Sequence, residues 1–150
     1  MLRTRFQREQ AVLSRRPAAE FLTDPATALA SVLMFDQVPR NLYRGTPGAF
    51  GSDALARTIA VSALDKGWDA AFSYPQLQFL AMPLMHSEDI ADQRRSLRHF
   101  VRLPSRYGWP FAVSHYQMIA RFGRFPHRNA VLGRTSTDAE ERAVAAGFAW

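Results

Sequence analysis

The chain has 150 residues, of which 47% are hydrophobic, 12% aromatic and 21% charged, and it carries a formal net charge of +6. That length suits one domain with its own core, residues 1–150, and is short for two ordinary ones; the composition lies far from that of a disordered chain. With no cysteine, a disulfide framework and thiolate metal sites are excluded.

The first ten residues, MLRTRFQREQ, lack the apolar stretch of a secretory signal, and the longest apolar run, Ala28 to Phe35 broken by Ser31, is far too short to span a bilayer. A soluble cytoplasmic protein without a membrane partner is the expectation. Basic charge invites a nucleic-acid reading, since clustered cations attract phosphate. Yet Lys66 is the single lysine among 19 basic residues and alanine is abundant, a pattern that codon bias in a GC-rich genome also produces. Nucleic acid is therefore placed behind plain compositional bias.

Helices joined by short Pro- and Gly-marked turns run the length of the chain, and alternating β-branched runs are scarce. Met1 to Ser14 is predicted as a first helix with Leu2, Phe6 and Leu13 toward one face. Thr23-Asp24-Pro25 signals a second, with Asp24 as N-cap and proline at the first helical position, running to about Gln37 ahead of Pro39. Thr46-Pro47 repeats the signal for an alanine-rich helix to Lys66, burying Phe50, Leu55, Ile59 and Leu64 and closing at Gly67.

Tyr74-Pro75 opens a short apolar helix through Met82. Ser87 is read as the next N-cap, with Glu88 and Asp89 in the first turn where the helix dipole favours acids. That helix is expected to reach Leu103 and to bury Ile90, Leu97 and Val101. Trp109-Pro110 starts another through Phe122. Thr137-Asp138-Ala139-Glu140 fits a capping box for a last helix, with Gly147 behind it. Seven helical segments with short connections predict an all-α fold of antiparallel helix hairpins stacked side by side.

Three motifs stand out: Phe35 to Thr46 (FDQVPRNLYRGT), Pro83 to Asp89 (PLMHSED) and Phe122 to Arg134 (FGRFPHRNAVLGR). Through them the chain resembles the bacterial family called domain of unknown function 924, over roughly Ala28 to Thr137. The resemblance implies an all-α fold like that of tetratricopeptide repeats, and no established activity. Members of that family usually begin with an aromatic-rich helix containing Phe-Trp-Phe, which is not present here ahead of Arg3. A shortened N-terminus is therefore expected, with a second copy of the chain as the cover for an apolar face.

From Gln93 to Thr137 there are nine arginines and three histidines without one Asp or Glu. Such a span either meets an anion or leans on carboxylates from elsewhere. The segment between Phe122 and Thr137 is long for a connection in a compact domain, as functional or well-packed loops are. On the functional reading, Arg124, His127, Arg128 and Asn129 face a phosphate or carboxylate. Arg40, Asn41, Arg44 and His86 are placed around the same concavity. On the structural reading, these arginines pair with internal carboxylates and cap helix ends, and Asp36 holds an arginine of the later loop.

His86-Ser87-Glu88-Asp89 offers ligand types for a metal, but adjacent helical residues point apart and the i, i+4 histidine pair of a zinc helix is missing. No metal and no cofactor are expected. His99 and His115 are read as ordinary surface or interhelix residues. Arg94, Arg98 and Arg102 form an i, i+4, i+8 stripe, read as a solvated face or a ridge paired with Asp92 and Glu88. The leading function is a binding module for a small anionic ligand or an acidic peptide. The alternatives are an enzyme with His127 or His86 as general acid or base, and nucleic-acid binding through residues 93–137.

Overall fold

The computed structural model describes residues 2–148, apart from the side chains of residues 2, 3 and 5. The placement of the Leu2 side chain, expected on one face of the first helix with Phe6 and Leu13, thus lies outside the described residues. Every regular element among them is helical: α1 (Leu2–Leu13), α2 (Pro25–Val32), α3 (Val38–Leu42), α4 (Asp53–Asp65), α5 (Tyr74–Met85), α6 (Ile90–Phe100), α7 (Trp109–Phe122) and α8 (Asp138–Ala145), with short 3₁₀ turns between them. None is long and apolar enough to cross a membrane. The chain forms two compact units, Met1–Leu84 and Met85–Trp150.

In the first unit, α2 begins where the sequence says it must. Asp24 is extended and its carboxylate accepts from the Thr27 N–H at 2.9 Å, with Pro25 behind it. Its end departs from expectation. Instead of stopping at Gln37, the helix widens into one π turn, Leu33–Gln37, and continues as α3 through Pro39. Proline has no N–H for the carbonyl one turn back, which here is that of Phe35. The Ser52 hydroxyl donates to the Phe35 carbonyl at 2.7 Å, and the Arg40 guanidinium donates to the Asp36 carbonyl. Two side chains thereby serve carbonyls at the widened turn, which is how a proline is accommodated within a helical run.

The core of this unit joins Phe21, Ala28, Leu29, Val32, Phe35, Ala56, Ile59, Ala60, Ala63 and Leu80. Phe21 and Phe35 meet edge to face, with centroids 5.0 Å apart. On α4 the fully buried positions are Ala56, Ile59, Ala60 and Ala63, while Leu55 and Leu64 are only partly covered. Alanine faces let α2 and α4 approach closely, so the small residues take the centre and the leucines its margin. Thr46-Pro47 opens a 3₁₀ turn, Pro47–Phe50, and α4 itself starts at Asp53.

In the second unit, α6 packs on α7. The α6 N-cap is Asp89, not Ser87: its carboxylate accepts from Ala91 N–H at 2.6 Å, while the Ser87 hydroxyl donates to Asp92 at 2.6 Å. The buried face matches the expectation only in part: Ile90 packs partly buried against Met118, Ile119 and Phe125, but the centre of the face is polar. Asp92, Gln93, Ser96, His99 and Phe100 turn inward, and Val101 is 60% exposed. Gln93 explains part of this, because its amide donates to the Met85 and Ser87 carbonyls, both at 2.7 Å, tying α6 to the end of α5. Gly123 closes α7 in the left-handed conformation (φ 70°), and Thr137 with Glu140 forms the reciprocal capping box of α8.

Replacing Ser52 with Ala withdraws the donor to the Phe35 carbonyl from a buried site. A loss of about 1–2 kcal/mol is expected in urea unfolding. Thr58→Ala, on the exposed side of α4, is the control and should stay within about 0.5 kcal/mol of the parent.

Candidate functional site

The segment from Gly123 to Thr137 is held by two arginine–carboxylate forks. Arg124 donates from Nε to Glu140 Oε1 at 2.7 Å and from Nη2 to Oε2 at 2.9 Å, and Nη2 also reaches the Thr135 carbonyl. Arg134 grips Glu88 with Nη1 at 2.8 Å and Nη2 at 2.9 Å, and its Nε donates to Asn129 Oδ1 at 2.9 Å. Glu88 also accepts the Phe125 N–H at 2.7 Å. Asn129, fully buried, donates on to Ser136. Glu88 and Glu140 lie just outside the acid-free span, one on each side, and they are the carboxylates it leans on.

These forks set the protonation of their acids. The Arg124 hydrogen bonds, with that of the Thr137 N–H, pull Glu140 down to about 2. For Glu88, burial pushes the carboxyl upward, but the Arg134 fork and the Phe125 N–H prevail and hold it below its ordinary range. The same bond to Glu140 pushes Arg124 up.

Inside this frame Phe125, fully buried, is ringed by nitrogen heterocycles and a guanidinium. His115 meets it edge to face at 5.3 Å between centroids, His127 lies at 5.7 Å, and Arg128 stacks over it at 4.5 Å. His86 lies 5.9 Å from His115, and its carbonyl accepts from Arg128 Nη2 at 3.1 Å. His115 and Arg128 are buried; His86 and His127 are partly open. Burial first, and then the neighbouring His86, Arg128 and His127 charges, push His115 down to about 3. Burial and Arg128 push His127 to about 4 against the opposing pull of Glu88. Both rings are neutral at pH 7. A neutral His115 gives its Nδ1 proton to the Phe111 carbonyl at 2.7 Å, which leaves Nε2 as an acceptor.

The predicted site residues therefore fall into two groups. His86, Arg124, His127, Arg128 and Asn129 belong to the second unit and Arg40, Asn41 and Arg44 to the first. Arg40 forks Asp53 at 2.9 and 3.0 Å and also pairs with Asp36, so Asp36 takes an arginine of its own helical run and not one of the later loop. Asn41 donates to the Gln37 carbonyl at 3.1 Å, and Arg44 is exposed. His115, set aside in the sequence as an ordinary interhelix or surface residue, stands inside the cluster, and His99 is buried as well. Only the helical period of α7, which puts His115 on the face shared with Met118 and Ile119, could have signalled it. Among the described residues no group of three or more histidines and acids is arranged to hold a metal ion.

The family model described as bacterial protein of unknown function (DUF924) matches residues 1–147. The chain belongs to the DUF924 family. A solved structure of a protein of unknown function from Agrobacterium tumefaciens is 37% identical, superposes with a TM-score of 0.89, and aligns over 96% of this chain and 81% of that one. No curated protein matches.

For this DUF924 protein, Arg124 is a latch between the end of α7 and the start of α8. Arg124→Ala should lower the melting temperature by more than Thr137→Ala, which removes half of the capping box at a cost of about 1 kcal/mol. Differential scanning fluorimetry checks the order of the two. Acid titration separates the histidines from the carboxylates. A histidine whose folded value is depressed below the usual 6.5 loses its contribution to stability as pH falls from there toward its folded value. The Glu140 contribution is lost later, between about 4.5 and 2. Stability should thus fall between pH 6.5 and 4.5 by up to about 1.4 kcal/mol per pH unit per histidine. His115→Gln should flatten that slope in urea titrations.

Proposed function

We propose that this protein is a binding module that holds a small anionic ligand or an acidic peptide end at the histidine cluster of its second unit. The observation that carries this reading is the gathering of His86, His115, His127 and Arg128 around the Phe125 ring. His86 and His127, partly open, are the groups a ligand would touch; Arg128 supplies fixed positive charge beneath them. A neutral His127 imidazole sits beside that charge without repelling it and still offers an N–H donor to a carboxylate or phosphate oxygen. Asn129 and Arg124 act behind the cluster through the loop they hold.

An acid–base role for His127 is the weaker reading. A group driven to about 4 is a poor base at neutral pH, where general bases work best with values near the ambient pH. The measurement that decides is a thermal-shift and calorimetric panel of inorganic phosphate, phosphosugars, nucleotides and acidic peptides. At least one class should stabilise the parent protein, and His127→Gln should weaken its binding by about ten-fold, as loss of a charge-assisted hydrogen bond does. A parent protein that responds to none of them ends this reading.

A further inference from the structure

Besides the arginines held by acids, the second unit carries a row of three along one helix that no acid answers. Arg94, Arg98 and Arg102 are exposed, and none makes a side-chain hydrogen bond or ion pair with a described residue. The sequence had offered Asp92 and Glu88 as partners for such a ridge, but Asp92 holds Ser87 and Glu88 is forked by Arg134. Two further exposed arginines, Arg106 and Arg121, lie over their own neighbouring rings, Tyr107 and Phe122. Arg142, also exposed, stands apart on α8, whereas Arg94, Arg98 and Arg102 sit together at and just beyond one helix. Like charges at i, i+4 spacing destabilise a helix slightly, so the stripe is kept against a local cost.

The exposed positions of α6 and its continuation have a defined order. Ala91, Arg94, Arg98 and Val101 follow one another at intervals of three, four and three, and all are exposed, with Arg102 beside them. That is the interval of a coiled-coil seam. Ala91 lets another backbone approach; Val101, 60% exposed, is an apolar contact; the arginines repeat about every 6 Å, the rise of four helical residues. A second helix carrying carboxylates at the same four-residue interval would place them opposite these guanidiniums.

We infer that the outward face of α6 docks an acidic helical segment of a protein partner, its glutamates or aspartates meeting Arg94, Arg98 and Arg102 and an aliphatic side chain covering Val101. A nucleic acid fits the same face less well. Three cations over about 12 Å are fewer than the phosphate contacts that hold protein to a duplex at physiological salt. The one large apolar side chain exposed on this face is a valine, which gives no stacking platform for bases, since the neighbouring Phe100 is wholly buried. None of the histidines of the proposed ligand site belongs to this face.

The test is fluorescence anisotropy with a labelled, helix-forming peptide bearing three glutamates four residues apart and a leucine in register with Val101. A peptide of the same composition with the glutamates scattered round the helix is the comparison, and a short RNA strand and a DNA duplex are run beside them. The patterned peptide should bind at physiological salt about ten-fold more tightly than the scattered one. Arg98→Glu should abolish that preference, and Val101→Asp should reduce it, while circular dichroism and melting stay those of the parent, since both positions are exposed. Equal binding of the two peptides, binding of neither, or tighter binding of the nucleic acids at the same salt overturns the inference. The peptide comparison on the parent protein stands even if a variant fails to fold.

Discussion

The grip of Arg134 on Glu88 is the interaction on which the second unit is arranged. A single carboxylate in the turn between α5 and α6 accepts both arms of a guanidinium near the far end of the Gly123–Thr137 segment and the backbone N–H of Phe125 near its beginning. Two points nine residues apart are thereby fixed to one acid. Without it, a buried amide and a half-buried guanidinium would lose their acceptor at once, which costs more than loss of a surface pair. Phe125 is then the fixed point around which His115, His127 and Arg128 are disposed, and Asn129 carries the same constraint onward to Ser136.

That arrangement explains why histidines, and no further permanent cation, join Arg128 around Phe125. Arg128 is already buried there, and a second fixed positive charge at His115 would face it across a medium that screens little. An imidazole escapes both the cost of a buried charge and this repulsion by giving up its proton, and burial first, with the neighbouring charges after it, holds His115 and His127 below their ordinary value. The Phe111 carbonyl then selects the tautomer of His115, because a carbonyl only accepts. His115 and His127 are thus neutral near pH 7 beside the charged Arg128 and become charged in acid, where the unit that contains them must loosen.

Helix caps were the most legible feature of the chain, because a cap is a local event decided by a few adjacent residues. Asp24 before Pro25 and Thr137 before Glu140 stand as their spacing predicts. What was not legible depends on partners distant in sequence. Pro39 reads as a helix stop, and only the widened turn, with Ser52 and Arg40 serving its carbonyls, lets the helix run on. Ser87 and Asp89 are both good caps, and the choice between them turns on the Ser87 bond to Asp92. On α6 the expectation holds in part for Ile90, which packs against Met118, Ile119 and Phe125, and fails at Val101; the inward turn of Gln93 was not legible because it depends on two carbonyls at the end of α5 and beyond it. The acid-free span did indicate that carboxylates must come from outside it, but which ones was decided by packing.

The basic excess of the chain is accordingly not one quantity. Arg40, Arg124 and Arg134 are each forked by an internal acid, and their field is largely cancelled a short distance away. Such arginines raise the count of basic residues without making the surface attractive to anions. Arg94, Arg98 and Arg102 have no such answer, and their potential extends outward until salt screens it, within about 10 Å at ordinary ionic strength. A compositional bias toward arginine would supply both kinds indiscriminately, but it would not sort the acids so that Arg124 and Arg134 receive them and Arg94, Arg98 and Arg102 do not. The sorting follows from geometry: Glu88 and Glu140 stand where the Gly123–Thr137 segment passes, and the exposed face of α6 carries no acid of its own from Ile90 to Arg102.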